Sequence, residues 1–178
     1  MRTQETKKLG RQAGVTLMEL IAALAIMAVI IVGALSLYNS ASTSQISTQM
    51  VQDVSALRAA IKSMYLGQGS FASLDNSVLI GSKRVPTTIK NTTGSTLKHQ
   101  LNGDVTIAPA DSNAAYTITF GSIPQDVCVA LLTSAQQWIS VTGIASGAAA
   151  QTTLPVPPDT ANTQCTNTGT GNVVFKGN

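Results

Sequence analysis

The stretch AGVTLMELIAALAIMAVIIVGAL, residues 13–35, decides how the rest of the chain is read. Sixteen uninterrupted apolar or small residues (20–35) follow a single carboxylate, Glu19, which four residues separate from Gly14. An acidic side chain at the centre of a membrane helix costs roughly 2.5–3.5 kcal/mol. At the mouth of such a helix the cost is smaller, because the carboxylate reaches the interface and the helix macrodipole favours an anion. The placement of Glu19 therefore needs a reason beyond hydropathy.

Working outward, the residues before the apolar run are basic. Arg2, Lys7, Lys8 and Arg11 against Glu5 give +3 within residues 1–14, whereas residues 15–178 hold seven basic and seven acidic side chains. The basic pI of about 9.0 thus belongs to the N-terminal tip. A nucleic-acid-binding domain carries its positive charge on the folded surface, so that function class is excluded. Charged residues make up 11% of the 178 and aromatics 4%, a composition unlike that of a charged cytosolic enzyme or an acidic disordered tail.

A basic tip and an apolar run fit three devices. A secretory signal needs a small-residue cleavage site after its core, and here Asn39 sits where a small residue is wanted before Ala41. A plain anchor is long enough, since residues 15–37 span about 34 Å as a helix against a hydrocarbon core of about 30 Å. Its basic flank would hold the N-terminus in the cytoplasm. Neither device explains Glu19. The third uses every residue: a short basic leader ending in Gly14, then Val15, Thr16, Leu17, Met18, Glu19 and the apolar run. This resembles the class III signal of type IV prepilins. The resemblance implies cleavage after Gly14 by a membrane-embedded prepilin peptidase, methylation of the new Val15 amine, and retention of the apolar helix. It also implies that Glu19, fifth in the mature chain, neutralises the Val15 amine of a neighbouring subunit and sets axial register in a filament. Two opposite charges packed among apolar helices are tolerable where one alone is costly.

Residues 15–66 contain no proline and one glycine, Gly33, so the sequence predicts one helix of 52 residues, about 78 Å long. Its first half is apolar all round. In its second half Ile46, Met50, Val54, Leu57, Ile61 and Met64 recur at spacings of 3 and 4, one stripe facing a core. Asp53, Arg58 and Lys62 are read as its polar flanks. Gly33 costs about 1 kcal/mol relative to alanine and marks either close helix contact or a point of loosening.

Gly67 and Gly69 end that helix. The run YLGQGSFASLDNSVLIGSKRVPTTIKNTT that follows resembles the connecting loop of type IVb pilins, the branch of bundle-forming and conjugative thin pili, and Val15 in place of phenylalanine favours the same branch. Residues 74–80 are expected to form a short helix with Asp75 near its start. Residues 104–108 and 115–120 read as an antiparallel pair of strands joined through PADSN. Residues 124–138 read as a helix opened by Pro124 with Asp126 in its first turn. Residues 139–145 and 173–176 read as further strands, and LPVPPDTANTQC as a Pro-rich loop.

Cys128 and Cys165 are the only cysteines. Beside a membrane-targeting N-terminus an oxidising compartment makes them a disulfide, worth about 4 kcal/mol on the chain-entropy model. Their places, one on a helix and one before the last strand, match the type IVb layout.

The expected architecture is α+β: a long N-terminal helix on an antiparallel sheet, with one disulfide. Its segments are a leader (1–14), an apolar transmembrane or filament-core helix (15–37) and a globular domain (38–178). The last divides into an amphipathic helix half (38–66), a connecting loop (67–98) and a sheet-and-disulfide region (99–178). A triad could run only through His99, the single histidine, and no nucleophile elbow accompanies it; phosphate-cradling loops, dinucleotide fingerprints and Cys-x-x-Cys pairs are missing from the sequence. Asp104 and Asp111 could hold a cation but read better as solvated turn residues. No catalytic residue, metal or cofactor is implied.

The resemblance implies a structural pilin made as an inner-membrane precursor with a periplasmic domain. Its partners would be the prepilin peptidase, the inner-membrane assembly platform and its own copies in an extracellular filament for adhesion, aggregation or conjugative contact. Two other readings use the same residues: a pseudopilin of a type II secretion system or minor pilin, and a single-pass anchored periplasmic binding module.

Overall fold

The computed structural model describes residues 16–166 and 169–178. The chain divides into two compact units, Met1–Ala41 and Ser42–Asn178. The leader, Gly14 and Val15 lie outside the described residues.

Helix α1 (Leu17–Met64) supplies the described part of the first unit and enters the second. Thr16 caps it: its Oγ1 accepts from the Glu19 amide at 3.3 Å, which satisfies one of the unpaired donors of the first turn. In the first unit every residue from 16 to 41 is exposed. Burial starts in the second unit, where Met50, Val54, Leu57 and Ile61 are sealed and Ile46 and Met64 are partly buried against the same core. The predicted stripe is therefore the buried face. Asp53 departs from expectation. It is 1% exposed on that face instead of flanking it, because Thr88 Oγ1 (2.5 Å) and Gln49 Nε2 (3.1 Å) donate to its Oδ1.

After α1 the chain turns at Gly67, whose φ of +84° suits a residue without Cβ. Helix α2 (Asn76–Gly81) is capped by Asp75, whose Oδ1 accepts from the Val78 amide at 2.8 Å. Four antiparallel strands and a helix follow: β1 (Lys90–Thr93), β2 (Thr96–Lys98), β3 (Asp104–Ala110), β4 (Ala115–Ile123) and α3 (Gln125–Ser134). β5 (Ser140–Thr142), helix α4 (Pro158–Cys165) and β6 (Gly171–Gly177) complete the chain. The six strands form one sheet in the order β1-β2-β3-β4-β6-β5, so the last strand inserts between β4 and β5.

Register explains how the sheet makes a core. Leu97, Val105, Phe120 and Val173 pair in a row across β2, β3, β4 and β6. Ile107, Ile118, Phe175 and Val141 form the next row across β3, β4, β6 and β5. All eight are buried, as the two-residue period of a half-covered antiparallel sheet requires. They cluster with the stripe of α1 and with Val127, Leu131 and Leu132 of α3. This is the α+β architecture expected from the sequence.

Three elements differ from expectation. The β1–β2 hairpin lies in a segment read as loop. Helix α3 stops at Ser134 rather than at Trp138. A helix, α4, occupies the end of the Pro-rich segment. The disulfide joins α3 to α4 through Cys128 and Cys165, both fully buried, with Cα atoms 5.8 Å apart.

Candidate assembly site

Leu17 to Tyr38 present fourteen large apolar side chains to the exterior, each 51–81% exposed. An 18-residue window of α1 averages 2.8 on the hydropathy scale, and α1 is, among the described residues, the helix long and apolar enough to cross a membrane. Such a surface is not stable in water, since burying each of these side chains fully is worth about 1.5–3 kcal/mol. It requires a bilayer or other apolar helices. Glu19 is the one charged residue on it, in the first turn, exposed, with its backbone amide tied to Thr16. Thr16-Leu17-Met18-Glu19 has the S/T-x-x-E spacing of a capping box, which orders the helix start. The Glu19 amide serves the cap, and its side chain is exposed.

His99 and Asp53, the polar side chains that the core encloses with Ser140, are structural. His99 Nε2 donates to the Gly121 carbonyl at 2.8 Å, while Nδ1 accepts from the Leu101 amide at 3.2 Å. Burial pushes its pKa down; attraction from the Gly121 carbonyl, Asp53 and Asp104 opposes this only in part. The imidazole is thus a neutral pin that joins the turn after β2 to β4. Gly103 lies against it: a Cβ there would collide with the Gly121 carbonyl oxygen and His99 Nε2.

Asp104 and Asp111 each face a lysine. Lys98 Nζ meets Asp104 Oδ1 at 2.7 Å, and Lys176 Nζ meets Asp111 Oδ2 at 2.6 Å. The two carboxylates thus lie on separate exposed ion pairs rather than converging on a cation. Sequence reasoning missed a polar pocket beside α1, in which Arg58 stacks over Trp138 and bonds Gln137. Its members are scattered from residue 51 to residue 175.

The PilS N-terminal family model matches residues 36–178. The chain belongs to that family. The major structural subunit of the bundle-forming pilus of Escherichia coli O111:H- is 29% identical over 179 residues, covering 92% of each chain. The toxin coregulated pilin of Vibrio cholerae is 28% identical over 84% of this chain and 69% of its own. Among solved structures, the type IVb pilin of Salmonella typhi superposes with a TM-score of 0.59 at 24% identity, over 72% of this chain and 97% of that one. A type IV pilin from the El Tor biotype of Vibrio cholerae gives 0.53 at 17% identity, over 75% and 99%. The fold is that of the type IVb-like pilins.

Proposed function

We propose that the chain is the structural subunit of a type IVb pilus. It is cleaved after Gly14, N-methylated on Val15, held in the inner membrane and polymerised into a surface filament. The observation that carries this is the exposed apolar half of α1, 16–41, with Glu19 as its sole charge. The relatives support it, being structural subunits of pili and a pilin rather than enzymes. In this reading the globular unit faces the periplasm until assembly, and the assembly platform draws subunits out of the bilayer into a bundle of α1 helices. The Glu19 carboxylate of one subunit then meets the Val15 amine of its neighbour, and this pair selects one axial register from a surface otherwise uniform in hydropathy. The filament serves adhesion, aggregation or conjugative contact.

Glu19→Gln and Glu19→Ala test the assembly step. Both should be processed to a chain that begins at Val15 and remain in the membrane, with filaments lost from the cell surface by electron microscopy. Normal fibres from Glu19→Ala would remove the charge pair from the mechanism.

A further inference from the structure

The turn between β2 and β3, residues 99–103, is held from inside by its own first side chain. Two backbone bonds close it: the His99 amide donates to the Gly103 carbonyl at 3.1 Å, and the Asn102 amide to the His99 carbonyl at 2.9 Å. The His99 ring adds two more. Nδ1 accepts from the Leu101 amide at 3.2 Å, which leaves the ring proton on Nε2 for the Gly121 carbonyl at 2.8 Å. The residue is 2% exposed. Its ring packs against the Gly103 backbone, where a Cβ would collide with Nε2, and against Phe120, with ring centroids 5.9 Å apart. Nδ1 serves the turn only through its lone pair. A proton there converts the acceptor into a second donor that faces the Leu101 N–H. Because the ring is enclosed, the turn is the part that must give.

The charges facing His99 come from three elements: Asp53 of α1, Lys98 of β2 and Asp104 of β3. β4 presents the Gly121 carbonyl and the Phe120 ring, neither of which titrates. Asp104 and Lys98 are exposed or half-buried and already paired with each other. Asp53 is different. It is 1% exposed, and Gln49 and Thr88 both donate to its Oδ1, while Oδ2 is buried and accepts from no described donor. An imidazolium in the core therefore meets one enclosed carboxylate with an unused oxygen.

We propose that His99 and Asp53 form an acid-operated latch: neutral His99 holds the 99–103 turn closed, its protonation lets the turn open, and Asp53 is the counter-charge that limits the opening. The sign follows from the proton affinities. Burial holds that of the closed turn below the ordinary value, and opening returns the ring to water, so protons favour the open turn as pH falls below 6.5. The effect reaches the surface. Gln100, within the turn, lines a polar groove with Gln45, Gln49 and Gln52 of α1. An open turn therefore changes the face of the unit that adjoins α1. The latch lies within Ser42–Asn178 and works whether or not the chain polymerises.

His99 is the only histidine, so the imidazole signals of the full chain in detergent report it without ambiguity. Nuclear magnetic resonance would follow those signals and amide exchange together from pH 7.5 to pH 5. Protection is measured against an unstructured amide at the same pH. The expected result is a fall in Leu101 protection of about fivefold, the worth of one hydrogen bond, in step with ring protonation. Ile118 and Val173, in the sheet, should keep their protection. His99→Gln, which has no proton to gain, should lose the acid step. In Asp53→Asn, where the closed imidazolium has no counter-charge, the step should deepen. Constant Leu101 protection while the ring titrates overturns the latch. So does an acid step that persists in His99→Gln, one that is unchanged or shallower in Asp53→Asn, or one shared equally by Ile118 and Val173, which would be unfolding of the whole unit. The wild-type measurement decides by itself if either variant fails to fold.

Discussion

At the scale of single residues, the buried polar groups decide how the fold responds to pH. His99 is neutral in the core, and its Nδ1 lone pair is already used by the Leu101 amide. Its pKa lies below the ordinary 6.5. In the window between the folded value and 6.5 the unfolded chain therefore binds more protons than the folded one, and stability falls as pH drops below 6.5. The urea midpoint of the full chain in detergent should decrease between pH 7.5 and pH 5.5. In His99→Gln this decrease should be smaller, although that protein starts less stable. An identical slope in both would show that another group titrates. Asp75 acts lower on the scale. Bonds from Ser77 and Val78 depress its pKa, so its contribution is lost only as pH falls below 3.8, which separates the two windows. The enclosure of Asp53 was not legible from its neighbours: its position next to Val54 is ambiguous on a helix, and its partner Thr88 lies 35 residues away.

At the scale of elements, period was the readable quantity. The stripe on α1 emerged because spacings of 3 and 4 persist over five intervals. Strands β3 and β4 emerged because one face is buried. β1 has every residue exposed, so its side chains show no alternation, and only Gly94 with φ of +50° marked the hairpin. Helix α4 carried a legible signal, Pro158 at its N-terminus followed by Asp159, masked by the prolines before it. Helix α3 ends early because Ala135 takes ψ of 110°, which turns the chain so that Trp138 stacks 5.2 Å from Phe175. Two predictions belong here. Leu57→Ala, on the sealed stripe, should cost about 2–5 kcal/mol in denaturant unfolding. Replacing Cys128 and Cys165 together by alanine should cost about 2–5 kcal/mol, with the sheet retained by circular dichroism. A loss confined to a few tenths would mean that the buried contacts between α3 and α4 suffice without the bond.

At the scale of the whole molecule, the first unit and the second solve different problems. Ser42–Asn178 encloses its own core, with the α1 stripe on one side and two rows of paired strand residues on the other. The described part of Met1–Ala41 encloses nothing, and its stability depends on lipid or on other copies. The apolar run and its single charge, Glu19, were legible in the sequence, and the structure leaves that run exposed; the Arg58 pocket was not legible, since Arg58 and Gln137 are 79 residues apart. An apolar helix with one charge at its start is useless to an isolated globular protein and useful to a polymer that needs register. In the proposed function, cleavage after Gly14 supplies the second charge of that pair, so the most direct measurement is the intact mass and N-terminal residue of protein sheared from the cell surface. A chain beginning at N-methylated Val15, recovered as long fibres, is the predicted result. A chain still carrying Met1 to Gly14, or one beginning near Ser42, would contradict it.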